Sequence, residues 1–112
     1  MRNISFSMTT KAFLDGTKSV TRRLGWMWLY PGARLMACKQ VMGLKPGEKI
    51  QELGVIEVLK VTRERLDEIS VEDVQAEGFN DMTPEQFVAG FCKAMKCKPD
   101  TTVTRIAFRR VT

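Results

Sequence analysis

The feature that most constrains the fold is the run Leu53 to Thr62 (LGVIEVLKVT). Read as a strand, it places Leu53, Val55, Leu59 and Val61 on one face and Ile56 and Val58 on the other. Apolar residues on both faces call for cover on both sides, so this segment is expected as a central strand of a barrel. A closing strand from Thr102 to Arg110 would turn Ile106 and Phe108 inward and put Arg105 and Arg109 on the opposite face. Arg34 to Val41 reads as a further strand, and Ser19-Val20-Thr21 has β-branched strand character.

Helical segments alternate with these strands. Thr9 to Asp15 is a short amphipathic run with Ala12, Phe13 and Leu14 on its apolar side, and Gly16 supplies the left-handed residue that ends it. A second helix is expected over Ser70 to Gly78, with Ser70 as N-cap, Glu72 and Asp73 in the first turn and Gly78 as the stop. A third starts at Thr83-Pro84-Glu85-Gln86, where Thr83 and Gln86 can form a capping box and Pro84 suits the first position. Phe87, Val88, Phe91, Cys92 and Met95 then follow helical spacing. Trp26, Trp28 and Tyr30 alternate, and in a strand they would share one face; Pro31-Gly32 is a turn signal. Met42 to Ile50, carrying Lys45 and Lys49, reads as an exposed basic loop. No repeat or linker divides the chain, so residues 1–112 are read as one domain.

Composition narrows the chemistry. Eighteen basic and thirteen acidic residues give a formal charge of +5, which favours an anionic partner such as nucleic acid. Histidine is absent, which removes Ser-His-Asp and Cys-His mechanisms and histidine metal sites. Cys38, Cys92 and Cys97 are an odd number, and neither a disulfide framework nor a zinc spacing emerges. No metal or organic cofactor is implied. No apolar run approaches a membrane span, and the N-terminus lacks the apolar core of a signal peptide, so the expectation is a cytoplasmic protein.

Gly16-Thr17-Lys18-Ser19-Val20-Thr21-Arg22-Arg23 concentrates a lysine, three hydroxyls and two arginines at a helix-to-strand corner. On composition alone it is a basic, solvated turn. Gly16, Lys18, Thr21 and Arg23, however, match the G-x-K-x-x-T-x-R signature of the ASCH family. Ile4-Ser5-Phe6-Ser7 resembles the family's first strand, Tyr30-Pro31-Gly32-Ala33-Arg34-Leu35 its P-G-D-x-L turn, and Val103 to Phe108 its last strand. The resemblance covers nearly the whole chain. It implies an α+β domain, a PUA-like mixed β-barrel of about five or six strands with two or three short helices.

One branch of that family acts as amidohydrolases on N4-acetylcytidine, using a signature lysine, a signature threonine and a downstream glutamate. Lys18, Thr21 and Glu77 are similar to those three by order and local context. Glu77 also stands out without the resemblance, because a carboxylate in the last turn of a helix opposes the macrodipole by about 0.3–1 kcal/mol. A solvated glutamate that tolerates this cost is the plain alternative. The implied chemistry is acyl transfer, with Thr21 as nucleophile. Either Lys18 is the base and Glu77 orients it, or Glu77 handles the proton while Lys18 stabilises the oxyanion. Direct attack by water, with Thr21 only binding, is a third route.

The alternative is a non-catalytic module that binds a nucleoside or single-stranded RNA in a basic cleft. Arg22, Arg23, Lys45, Lys49, Arg105 and Arg109 are candidates for phosphate contact, and Trp26, Trp28 or Tyr30 for base stacking. Core packing is the competing role for the tryptophans, and a solvated surface for the cations. A small adaptor with a vestigial cleft also fits the length.

Overall fold

The computed structural model describes all residues, Met1 to Thr112. In chain order it contains β1 (Arg2–Ser5), α1 (Thr10–Leu14), β2 (Val20–Arg23), β3 (Arg34–Cys38) and β4 (Glu52–Arg65). A single 3-10 turn (Leu66–Glu68), α2 (Val71–Ala76), α3 (Pro84–Met95) and β5 (Thr102–Arg110) complete the chain. The strands make one mixed sheet in the order β1-β3-β4-β5-β2, parallel between β1 and β3 and antiparallel elsewhere. The sheet curls into a half-barrel with the helices beside it, an α+β architecture of the PUA-like kind.

β4 is the middle strand, as its apolar character requires, but its two faces are not those of strict alternation. Lys60 pairs with Ala107 and Val58 with Phe108, so Leu59 is an extra residue on β4 at that point. The bulge shifts the phase. Ile56 and Val58 lie in the core, Leu59 is turned out to solvent, and Val61 packs against the core side with them. Leu59 is therefore not a core residue, and β4 is not equally apolar on its two sides.

Ile4, Phe6, Phe13, Leu35, Ala37, Ile56, Val58, Ile106 and Phe108 make up most of the barrel core, with Leu29 from the loop after β2. A second core of Leu66, Ile69, Val74, Phe87, Val88 and Val103 fixes α2 and α3 against the end of β4. The helix caps form as their residues dictate. Ser70 accepts from the Asp73 N–H at 3.1 Å. The Thr83–Gln86 box has both its bonds, at 3.1 and 2.9 Å.

Several local expectations change. β1 begins two residues earlier than Ile4, and β3 ends at Cys38. The alternating aromatics after β2 are not in a strand, because Gly25 and Trp26 both take positive φ (74° and 57°) and turn the chain. Trp26 packs on the core, whereas Trp28 and Tyr30 are exposed. Leu14 and Met95 end their helices on the solvent side.

Candidate functional site

β1 and β2 are the two free edges of the sheet, and no ladder joins them. The seam between them is crossed by a side chain: Arg23 on β2 donates from Nη2 to the Ser5 carbonyl on β1 at 2.6 Å. The signature residues line this seam and the corner leading to it.

That corner is built by three devices. Gly16 takes φ 86° after α1, and both the Thr17 and Lys18 N–H groups then donate to the Ala12 carbonyl at 3.0 and 3.1 Å. Ser19 is stapled on both sides, donating to Ala76 O at the end of α2 (2.8 Å) and accepting from Phe108 N–H of β5 (3.0 Å). Gly78 takes φ 106°, and a Cβ there would stand 2.8 Å from the Ala12 Cβ. Only glycine lets the end of α2 approach α1 so closely. Glu77, the C-cap of α2, is thereby carried to Lys18.

The contacts are direct. Lys18 Nζ donates to the Glu77 carbonyl at 2.7 Å and to Glu77 Oε1 at 3.3 Å. Arg22 Nη1 donates to Glu77 Oε2 at 3.3 Å. Lys18, Arg22 and Glu77 are only 6%, 4% and 4% exposed, so these charges interact out of bulk water. Arg22 Nη2 continues to Asp73 Oδ2 (2.5 Å) and Glu64 Oε1 (3.4 Å), and Arg105 grips both Asp73 oxygens at 2.7 and 3.1 Å. Arg22 Nε alone among the buried side-chain polar atoms has no partner.

Thr21 points to the other face of β2, with Arg23. Its Oγ1 accepts from Arg23 Nε at 3.1 Å, and its own hydroxyl hydrogen has no protein acceptor. Lys18 Nζ and the Arg23 guanidinium lie over the same Phe6 ring, 5.2 and 5.6 Å from its centre. Phe6 and Arg23 thus connect the hydroxyl to the Lys18–Glu77 pair.

Electrostatics set the protonation of the cluster. Burial pushes the Lys18 ammonium down to about 8; Glu77 opposes this, while Arg23 and Arg22 add to it. The hydrogen bonds from Arg105, then Arg22, hold the Asp73 carboxyl at about 2, against its own partial burial. Arg23 is also lowered by burial, with Glu77 opposing.

No protein-family model matches the sequence, and no curated protein matches it. Solved structures do. A DUF984 protein of Enterococcus faecalis V583 is similar with a TM-score of 0.64 at 18% identity, over 94% of this chain and 71% of that one. The ASCH domain from Lactobacillus crispatus JV V101 gives 0.64 at 13% identity, over 97% of this chain and 79% of its own. ASCH from Zymomonas mobilis gives 0.62 at 16% identity, over 96% of this chain and 65% of its own. The fold is that of the ASCH domains.

Within this ASCH fold, the residues singled out in the sequence divide into two sets. Lys18, Thr21, Arg22, Arg23, Glu77 and Arg105 gather at the seam and the adjoining end of α2, with Gly16 shaping the corner. The guanidinium groups of Arg22, Arg23 and Arg105 are engaged by protein acceptors rather than presented to a phosphate. Lys45 and Lys49 sit on the exposed loop between β3 and β4 and form no ion pair with the cluster. Arg109 lies further along β5, where it shares Glu57 with Arg34 at 3.4 and 3.5 Å. Trp26 and Trp28 stack on each other, with ring centres 5.4 Å apart and Arg2 over Trp28 at 4.9 Å.

Asp73 and Glu64 are members of the cluster that the sequence does not announce. In the first turn of α2, Asp73 satisfies the helix dipole, and this masks its second role as the acceptor shared by two arginines. Beside the cluster runs an open cleft of about 230 Å³ lined by Met8, Thr9, Lys11, Ala12, Asp15, Thr17, Gly78 and Asn80. Thr17 and Gly78 are the chain neighbours of Lys18 and Glu77. No helix is long and apolar enough to cross a membrane.

Proposed function

We propose that the protein is a hydrolase of the amide in N4-acylated cytidine, with Thr21 as nucleophile, Lys18 as base and Glu77 as the residue that orients Lys18. The observation that carries this reading is the buried Lys18–Glu77 pair, 3.3 Å apart, in which burial leaves the lysine near 8. At that value a useful fraction of Lys18 is neutral close to physiological pH, which an ordinary lysine does not offer. The hydrogen-bond pattern agrees. Glu77 supplies two acceptors to Nζ, its carbonyl and Oε1, and these engage the two hydrogens of a neutral amine and leave its lone pair free. Both Glu77 carboxylate oxygens are occupied, Oε1 by Lys18 and Oε2 by the Arg22 guanidinium, which favours orientation over proton transfer as its task.

The Thr21 hydroxyl, its oxygen held by Arg23 and its hydrogen uncommitted, adds to the amide carbonyl as Lys18 takes its proton. The tetrahedral oxyanion collapses, the C–N bond breaks, and Lys18 returns the proton to the leaving cytosine amine. Water hydrolyses the acyl ester on Thr21, releasing the carboxylic acid and restoring the hydroxyl. The neighbouring cleft of about 230 Å³ includes Thr17 and Gly78, the chain neighbours of Lys18 and Glu77, and would receive the cytosine ring.

The test is release of cytidine from N4-acetylcytidine by the wild type, Thr21→Ala and Lys18→Met. Release by the wild type well above both variants is expected; equal rates would remove the enzymatic reading. A non-catalytic RNA-binding role draws support from a different observation, the exposed Trp28 and Tyr30 together with Lys45 and Lys49, two exposed lysines without a carboxylate partner. Its mark would be RNA affinity that falls with salt and is indifferent to Thr21→Ala.

A further inference from the structure

We propose that Cys92 and Cys97 form a redox-active dithiol that closes to an intramolecular disulfide by exchange with a small disulfide such as oxidised glutathione. Helical spacing in the sequence would hold these residues five positions apart along one rod, and the chain does something else. It leaves α3 at Lys96, whose φ of 54° is left-handed, and the Cys97 N–H then donates to the Cys92 carbonyl at 3.2 Å. This reversal returns the second sulfur over the helix end, and the two Sγ atoms stand 4.0 Å apart as free thiols. A disulfide is about 2 Å long, so closure asks for an approach of about 2 Å. Cys97 lies outside the helix, so its side chain is not held by the helical register of Cys92.

The surroundings suit exchange. Both thiols are half-buried at the margin of the second core, beside Phe91, so they are reachable from solvent. Lys93, Lys96 and Lys98 are exposed and have no carboxylate partner, and together they favour an oxidant that carries carboxylates. Burial and the adjacent Cys97 push the Cys92 thiol up, and Cys97, beyond the end of the helix, is assigned the first attack with Cys92 as the resolving thiol. The remaining cysteine, Cys38, is buried in β3 and serves as an internal control.

In the first step the Cys97 thiolate attacks one sulfur of oxidised glutathione. The glutathione S–S bond breaks, and one glutathione leaves as a thiolate that takes up the proton Cys97 gave up. The Cys92 thiolate then attacks the Cys97 sulfur of the mixed disulfide and expels the second glutathione, which takes the Cys92 proton. Two electrons pass from the protein to the oxidant, which becomes two thiols. The new bond ties the end of α3 to the segment that leads into β5.

The experiment equilibrates the full, reduced chain across a series of reduced-to-oxidised glutathione ratios, quenches with acid, alkylates, and reads intact mass and peptide maps. The expected result is concerted loss of two alkylatable thiols, mapped to a Cys92–Cys97 bridge, with Cys38 alkylated throughout. Cys92→Ser and Cys97→Ser should each fail to form the bridge, the former stopping at one glutathione on Cys97. Three alkylated thiols at every ratio, or a wild type that halts at mixed adducts, would overturn the proposal. Neither outcome depends on the variants folding.

Discussion

Two populations of cations sit in this small ASCH fold, and the contrast between them separates structure from surface. At the seam, Lys18, Arg22, Arg23 and Arg105 are tied to Glu77, Asp73, Thr21 and the β1 backbone. On the loop between β3 and β4, Lys45 and Lys49 stand in solvent without a carboxylate partner. Each cation in either set adds the same unit to the formal net charge, yet only the first set is worth much energy. A charge taken out of water has to be matched by a partner, and removing that partner is costly, whereas an exposed ammonium is solvated wherever it points.

The sharpest way to break the comparison is Glu77→Ala. It removes the only carboxylate paired with Lys18 and one of the three paired with Arg22, and should destabilise the protein by about 3–5 kcal/mol, measured by urea unfolding. Next comes pH. Lys18 titrates near 8 in the folded protein against 10.5 for the ordinary side chain. Between those values the unfolded chain still binds a proton that the folded one has released, so stability should rise with pH by about 3 kcal/mol across the window. The rise should be absent in Lys18→Met. Gly78→Ala combines a positive φ with the Ala12 approach and should cost about 1–3 kcal/mol in the same assay. At the other extreme, Lys45→Ala and Lys49→Ala should change stability by no more than about 0.5 kcal/mol. If the loop grips RNA, each should also lower the log–log salt slope by about 0.7.

The seam also explains what the sequence could and could not disclose. Ser70, Thr83, Pro84 and Gln86 act on their own turn, so the caps of α2 and α3 were legible from local chemistry. Lys18 and Thr21 were singled out by the short signature and Glu77 by its place in the last turn of α2, and the fold brings Lys18 and Glu77 into contact. The Arg22–Asp73–Arg105 link was not, since its partners lie far apart in the chain and Asp73 has a sufficient local reason to be acidic. The Leu59 bulge was equally hidden: one extra residue leaves the composition of β4 unchanged while moving Val61 onto the core side. Trp26, Trp28 and Tyr30 imitate a strand in period, but the positive φ values of Gly25 and Trp26 belong to a turn.

Burial has made Lys18 less basic than an ordinary lysine, so that it gives up its proton near pH 8. Isotope-edited NMR titration of the Lys18 side chain, assigned with Lys18→Met, reads that property without substrate. A midpoint near 8 is the result expected from its burial, which outweighs the opposing Glu77 carboxylate. A midpoint at the ordinary lysine value of 10.5 would contradict it.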